Sequence, residues 1–183
     1  MLYSYAQLID KLGSFQKLKE AIKKGKYCKV AHGIYSDNGP YLCECECIFA
    51  RFPNSVLTLQ SAFYFYDLSD YVPDKYVIAT SQKAHKINNK KVVQIYMTDD
   101  LLNIGKTTVK TQYGFLNIYD KERMLIELFR LKSKLGYDYF REIVNSYRKL
   151  VKCNEINTKN LVEYAKEFKN GYSILKQIQD VVL

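Results

Sequence analysis

The sequence predicts an α+β protein: an N-terminal winged helix-turn-helix over residues 1–40, then a mixed α/β domain over 41–183 that ends in a helical segment. Three observations carry this. Residues 4–35 alternate helix starts, breakers and a short β-type run, with charge of almost one sign. The middle of the chain holds β-branched and aromatic runs separated by turn residues. The last third repeats apolar residues at helical spacing in four successive stretches.

Ser4-Tyr-Ala-Gln7 has the spacing of a capping box, in which the serine oxygen accepts an N3 amide and the glutamine reaches back. It opens a helix to about Leu12, with Leu8, Ile9 and Leu12 on its apolar side. Gly13 breaks that helix and Ser14 caps a second. There Phe15, Leu18 and Ile22 form the predicted buried stripe, and Gln16, Lys17, Lys19, Glu20, Lys23 and Lys24 face outward. Gly25 stops the helix. Tyr27–Val30 and Gly33–Tyr35 then read as a hairpin around Ala31-His32-Gly33. Helix, turn, basic helix and basic wing in this order is the layout of a DNA reader.

Asp37-Asn-Gly-Pro40 is a turn cluster and the expected edge of the first module. Helices are expected from Tyr41 to Phe52, ended by Pro53, and from Ser55 to Asp67. Tyr76–Ala79 and Val92–Met97 read as strands. Asp99-Asp100 reads as a helix start, and Thr107–Thr111 with Phe115–Tyr119 as a hairpin around Gln112-Tyr-Gly114. Asp120 caps a helix expected to reach about Leu135, with Met124, Leu128, Leu131 and Leu135 on one stripe. Tyr139, Ile143, Tyr147 and Leu150 mark the next helix. Leu161, Tyr164, Ala165 and Phe168 mark another, and Leu175, Ile178 and Val182 the last. Such stripes are core rather than ligand sites.

Charge is uneven along the chain. The net charge is +9, and the first 36 residues hold seven lysines against Asp10 and Glu20, so they carry +5 of it. Lysines placed against phosphates release condensed counterions, the sequence-independent part of DNA affinity. The candidate contacts are Gln16, Lys17, Lys19, Lys23, Lys24, Lys26 and Lys29, with His32 at the wing tip as a phosphate contact or a plain turn residue. The competing reading is a solvated amphipathic helix pair. Lys83, Lys86, Lys90 and Lys91 form a second candidate basic surface, with no acid from Ser81 to Thr98; a solvated loop is the alternative.

Seventeen tyrosines and no tryptophan suit cores with hydroxyls at their edges. Without an 18-residue apolar run or a signal-peptide start, the chain is expected in the cytoplasm, away from membranes. Cys43, Cys45 and Cys47 alternate with Glu44 and Glu46, but structural zinc sites combine two C-x2-4-C-type pairs. Half-buried thiols, with no metal and no cofactor, are expected instead. Nucleotidyl transfer needs carboxylates that hold Mg²⁺ beside a Gly-Ser turn. No D-x-D pair closely follows Gly13-Ser14, and neither His32 nor His85 sits in a nucleophile or metal signature. The expectation is a non-catalytic protein.

Three stretches resemble the AbiEi family of antitoxin-type transcriptional regulators, the antitoxin half of bacterial AbiE (type IV) toxin–antitoxin pairs. The first is Gly13-Ser-Phe-Gln-Lys-Leu-Lys through Gly25-Lys-Tyr-Cys-Lys-Val and Gly33-Ile-Tyr35. The second is Leu57-Thr-Leu-Gln-Ser-Ala-Phe-Tyr64, followed by Asp67-Leu-Ser-Asp-Tyr-Val-Pro73 and the strand Tyr76–Thr80. The third is Ile118-Tyr-Asp-Lys-Glu-Arg-Met-Leu-Ile-Glu-Leu128. Together they span about Ser4 to Leu150, each loose on its own, ordered and spaced as in the family. The resemblance implies a module that represses the pair's own promoter, double-stranded DNA with inverted repeats. It also implies a C-terminal domain that counters a cognate nucleotidyltransferase toxin without a stable complex. One departure is the absence of a helix before Ser4, so support is expected from residues 41–52 or the next helix. The alternative function is a non-catalytic protein- or RNA-binding adaptor with a degenerate winged helix.

Overall fold

The start of the chain follows its local chemistry. In the computed structural model, which describes residues 1–37, 39, 44–111 and 115–183, the capping box forms in both directions. Gln7 N–H donates to Ser4 Oγ at 3.2 Å, and Ser4 N–H donates to Gln7 Oε1 at 2.8 Å. Helix α1 (Tyr5–Leu12) ends where Gly13 takes φ +82° and its N–H reaches Ile9 O at 2.7 Å. A left-handed residue is what this turn needs, and glycine adopts it without steric cost. Ser14 Oγ then accepts from Lys17 N–H at 3.3 Å and opens α2 (Phe15–Lys23).

The chain divides into two compact units, Met1–Ser55 with Thr108–Asn117, and Val56–Thr107 with Ile118–Leu183. In the first, β1 (Leu2–Ser4), β2 (Cys28–Ala31) and β3 (Ile34–Ser36) form an antiparallel sheet of order β1-β3-β2. Tyr3 lies opposite Tyr35, which lies opposite Lys29 on the other side. The strand β1 carries no sequence signal of its own, since three residues are too few to show a period. Helix α3 (Glu44–Arg51) packs on β1 and β3. The first part of the helix expected from Tyr41, with the turn residues Asn38 and Pro40, lies outside the described residues.

Leu8, Leu18, Tyr27 and Tyr35 make the core of this module, with Tyr3, Ile9, Leu12, Ala21 and Ile22 packed around them. The expected stripe needs one correction: Leu18 is fully buried but Phe15 is 50% exposed. At about 100° per residue, Phe15 sits on the flank of the face that Leu18 centres. There its ring lies 6.3 Å from that of Tyr5.

The second unit is larger. It holds β4 (Val56–Leu57), β5 (Tyr76–Ser81) and β6 (Val92–Met97) of a five-stranded sheet of order β6-β5-β4-β8-β7, whose remaining strands are β7 (Lys106–Lys110) and β8 (Phe115–Tyr119). The tip of the β7–β8 hairpin, expected at Gln112-Tyr-Gly114, lies outside the described residues. Strand β4 runs antiparallel to β5 and parallel to β8; β5 and β6 are parallel over six residue pairs. The helix expected from Ser55 to Asp67 is therefore shorter. Val56 and Leu57 fill the gap between β5 and β8, and α4 covers only Leu59–Phe65.

Helix α5 (Asp99–Asn103) begins at the predicted acidic pair. Asp120 Oδ1 accepts from Arg123 N–H at 2.8 Å and caps α6 (Lys121–Arg130). The apolar stripe predicts that this helix continues to Leu135; instead Lys132–Lys134 tighten into a 3₁₀ turn, with Lys134 N–H on Leu131 O at 2.8 Å. Leu131 and Leu135 nevertheless stay buried. Helices α7 (Tyr137–Lys152), α8 (Thr158–Lys166) and α9 (Gly171–Val181) follow the predicted stripes, and α8 and α9 both pack on α6. The protein is thus a mixed α+β chain with a helical C-terminal segment. No described helix is long and apolar enough to cross a membrane.

Candidate nucleic-acid interface

Every side chain singled out in the N-terminal module is exposed: Gln16, Lys17, Lys19 and Lys23 on α2, Lys24 at its C-cap, Lys26 in the turn after it, Lys29 on β2 and His32 between β2 and β3. The helix places them on two flanks. Gln16, Lys19 and Lys23 recur at i, i+3, i+7 on one side, and Lys17, Glu20 and Lys24 at i, i+3, i+7 on the other. The buried edge between the flanks is Leu18, Ala21 and Ile22, which anchors α2 to the core. None of these lysines forms an ion pair among the described residues, although Lys19 Nζ lies 5.1 Å over the Phe15 ring. Their positive charge is left to solvent.

The turn between β2 and β3 is tied back to α1. Gly33 takes φ +76°, and its carbonyl accepts the first helical N–H, from Tyr5, at 2.8 Å. On the far side of α1, Lys11 Nζ sits 4.7 Å over the Tyr3 ring, whose hydroxyl donates to Asp37 Oδ2 at 3.0 Å. The Tyr27 and Tyr3 hydroxyls hold the Lys11 ammonium in its charged form more firmly than usual. Partial burial and the Asp37 carboxylate push the Tyr3 hydroxyl up. Lys11 is therefore engaged at the module's base, unlike the lysines of α2.

One pair escaped sequence reasoning. Tyr5 and Phe15, 42% and 50% exposed, stand at the first turns of α1 and α2 and present aromatic surface beside the lysines. The apolar-stripe reading places Phe15 inside. The available signal is its position at N1, where a helix has made only part of a turn and the side chain is not yet committed to the core face.

Lys83, Lys86, Lys90 and Lys91 are all exposed in the connection between β5 and β6. They are not gathered at one point. Because β5 and β6 are parallel, with Tyr76 opposite Val92 and Ser81 opposite Met97, the connection must travel back along the whole strand. Lys83 lies near one end and Lys90 and Lys91 at the other, about 16 Å apart along the strand direction. The expectation of lysines without an acidic neighbour is also corrected: Lys83 Nζ pairs with Asp99 Oδ2 at 3.1 Å, because both follow the adjacent C-terminal ends of the two strands. The connection is pinned by Gln94, whose Oε1 accepts from Ile87 N–H at 2.8 Å and whose Nε2 donates to Thr80 Oγ1 at 2.8 Å and His85 O at 3.2 Å. His85 is exposed.

Cys45 and Cys47 are half-buried thiols on α3, as is Cys28 on β2, while Cys43 lies outside the described residues. Among the described residues no group of three His, Cys, Asp or Glu side chains could hold a metal ion.

No protein-family model and no curated protein matches the chain. Among solved structures, it is similar to the crystal structure of the RV2827C protein from Mycobacterium tuberculosis, with a TM-score of 0.61 over 99% of this chain and 72% of that one, at 12% identity. At that identity the likeness is one of fold.

Proposed function

We infer that residues 1–51 are a winged helix-turn-helix that binds double-stranded DNA. The single observation that carries this is the arrangement of the module. Two capped helices and a sheet of order β1-β3-β2 leave α2 and its C-cap with six outward polar positions, four of them lysines that form no ion pair among the described residues. In this reading α2 is the recognition helix, Gln16, Lys19 and Lys23 face the major groove, and Lys17, Lys24, Lys26 and Lys29 face phosphates. The β2–β3 turn with His32 is the wing. Helix α3, packed on β1 and β3, takes the place of the supporting helix that would otherwise precede the pair. Tyr5 and Phe15 add apolar contact at the helix starts.

Together with the AbiEi resemblance, this makes the protein a cytoplasmic autorepressor of its own promoter and the antitoxin of an abortive-infection pair, opposing a nucleotidyltransferase-type toxin. The second unit carries the antitoxin role in this reading.

The test is a salt titration of binding to DNA from upstream of the gene. Changing Lys17, Lys19, Lys23 and Lys24 together to Ala should reduce the log–log slope by roughly 3 to 4. An unchanged slope removes α2 from the interface. Gln16→Ala should instead alter base preference, because a glutamine can pair with an adenine edge through two hydrogen bonds. If the quadruple variant loses repression yet still protects cells from the co-expressed toxin, the two activities reside in different parts of the chain.

A further inference from the structure

The two edges of the five-stranded sheet are treated differently. Strand β7 closes one edge with Lys106 and Lys110 and two threonines between them, the kind of charged, polar rim that keeps an edge from pairing. Strand β6 closes the other with Val92-Val-Gln-Ile-Tyr-Met97: no charge, no proline and an unbroken register along β5. Val93 and Tyr96 are 41% and 47% exposed on its two faces. A six-residue uncharged edge is a template for another strand.

The direction of its free backbone groups follows from the ladder ends. Lys91 O accepts from Tyr76 N–H and Met97 O accepts from Gln82 N–H, each at 2.7 Å. In a parallel ladder, alternate residues turn both backbone groups to the same side. The odd-numbered residues of β6 therefore bond to β5, and Gln94 and Tyr96 point their N–H and C=O groups away from the sheet.

The geometry points to a second copy of this chain as the occupant, pairing β6 with β6 antiparallel about a twofold axis through Ile95. Two constraints select this register. Outward-facing residues must meet outward-facing residues, which places Gln94 opposite Tyr96 of the second copy and excludes any shift by one residue. The flanking charges decide among the rest. The segment reads Lys90-Lys-Val-Val-Gln-Ile-Tyr-Met-Thr-Asp-Asp100, basic at one end and acidic at the other. With Ile95 opposite itself, the basic turn before β6 that holds Lys90 comes, in each copy, beside the acidic start of α5 that holds Asp100 in the other, twice by symmetry; Lys90 and Asp100 are both exposed. Shifts by two residues either way lose that match. Val93 then lies opposite Met97 of the second copy. Such a contact is self-complementary and closes on itself, so it ends at a dimer.

The test measures mass and register together on the full chain. Sedimentation and light scattering should give twice the mass of the chain. Tyr96→Pro removes an outward N–H that the edge can spare in the monomer, and it should return the protein to monomer. Lys90→Asp alone, or Asp100→Lys alone, should weaken dimerisation about tenfold through two like-charge contacts, and the double exchange should restore it. Ile95→Cys should give a disulfide between the two introduced thiols under mild oxidation, identified by peptide mass, because directly opposed residues of a non-hydrogen-bonded pair bring their Cα atoms to about 4.5 Å. A wild-type monomer at high protein concentration overturns the proposal. So does a dimer indifferent to Tyr96→Pro and to the charge exchange, or a dimer whose Ile95→Cys variant forms no such link.

Discussion

The two units handle charge in opposite ways. In the first, the lysines of α2 lie outside a small core and meet no acid, while the second buries a charged cluster, Arg123 with Glu127, inside its core. Arg123 and Glu127 are both inaccessible to solvent, one helical turn apart on α6. Arg123 Nε donates to Glu127 Oε1 at 3.1 Å, Nη2 lies 2.9 Å from the same oxygen, and Nη1 donates to both Leu101 O at 2.8 Å and Ile104 O at 3.1 Å. Its guanidinium stacks 4.5 Å from the rings of Tyr119 and Phe168. Glu127 Oε2 accepts from Arg130 Nε at 3.0 Å. The difference teaches what each charge is for. Buried ions hold strand ends, loop carbonyls and helices together and contribute to a single packing. Exposed lysines of one sign contribute nothing of that kind to the fold.

The strongest way to break this comparison is to orphan a buried ion. Glu127→Ala leaves the buried Arg123 guanidinium without its carboxylate and should cost about 3–5 kcal/mol in urea unfolding. Replacing Arg123, Glu127 and Arg130 together by Met, Leu and Met should recover much of that loss, since no charge is then stranded. A Glu127→Ala variant as stable as the wild type would show that the network does not hold the second unit.

A cavity in the smaller core comes next. Leu18 is the fully buried residue of α2, and Leu18→Ala should destabilise its unit by about 2–4 kcal/mol. Hydrogen exchange localises the effect: protection should fall in residues 5–36 and remain on α6. Equal loss in both regions would mean that the two cores do not open separately.

The first unit was legible because its determinants are local. A capping box, a left-handed glycine and a serine cap act within four residues, so Ser4, Gln7, Gly13 and Ser14 announce α1 and α2 directly. The second unit was less so, because its decisions are made across the sheet. Val56 and Leu57 are strand residues only because β5 and β8 flank them, and the chain turns from there into α4 through Leu59 at φ +47°, a left-handed leucine that no local preference favours. The parallel pairing of β5 with β6 over a ten-residue connection is likewise invisible in composition. It is also what separates the lysines and brings Asp99 to Lys83. The ion network did leave a trace: Arg123 and Glu127 stand i, i+4 in Arg123-Met-Leu-Ile-Glu-Leu-Phe129, whose other residues are all apolar. For the candidate interface, sequence supplied the lysines and Gln16, while the exposure of Phe15 beside Tyr5 required the packed module.

A finer contrast concerns protons. Burial raises the Asp120 carboxyl above its usual 3.8, outweighing the N–H of Arg123 and the Tyr164 hydroxyl that favour its charged form. A raised folded value means that the folded chain binds this proton more tightly than the unfolded one. Its stabilising contribution is fully present below the unfolded value and fades as pH rises through the folded one. Urea midpoints measured across that window should therefore fall for the wild type relative to Asp120→Asn. Parallel curves would assign no titration to this cap.

The smallest expected effect is also the sharpest test of the contrast. Lys17, Lys19, Lys23 and Lys24 lie on the outward flanks of α2, touch no acid and bury nothing, so no named source of large destabilisation applies to them. Alanine at those positions has the higher helix propensity, and removing four like charges relieves repulsion along the helix. The quadruple alanine variant should thus unfold within about 0.5 kcal/mol per site of the wild type, or slightly above it. The same substitutions are the ones expected to flatten the salt dependence of DNA binding. A variant that keeps its stability and loses its DNA separates folding from function residue by residue. A variant that melts early would mean that the lysines serve the fold after all, and the difference drawn between the two units would fail at its base.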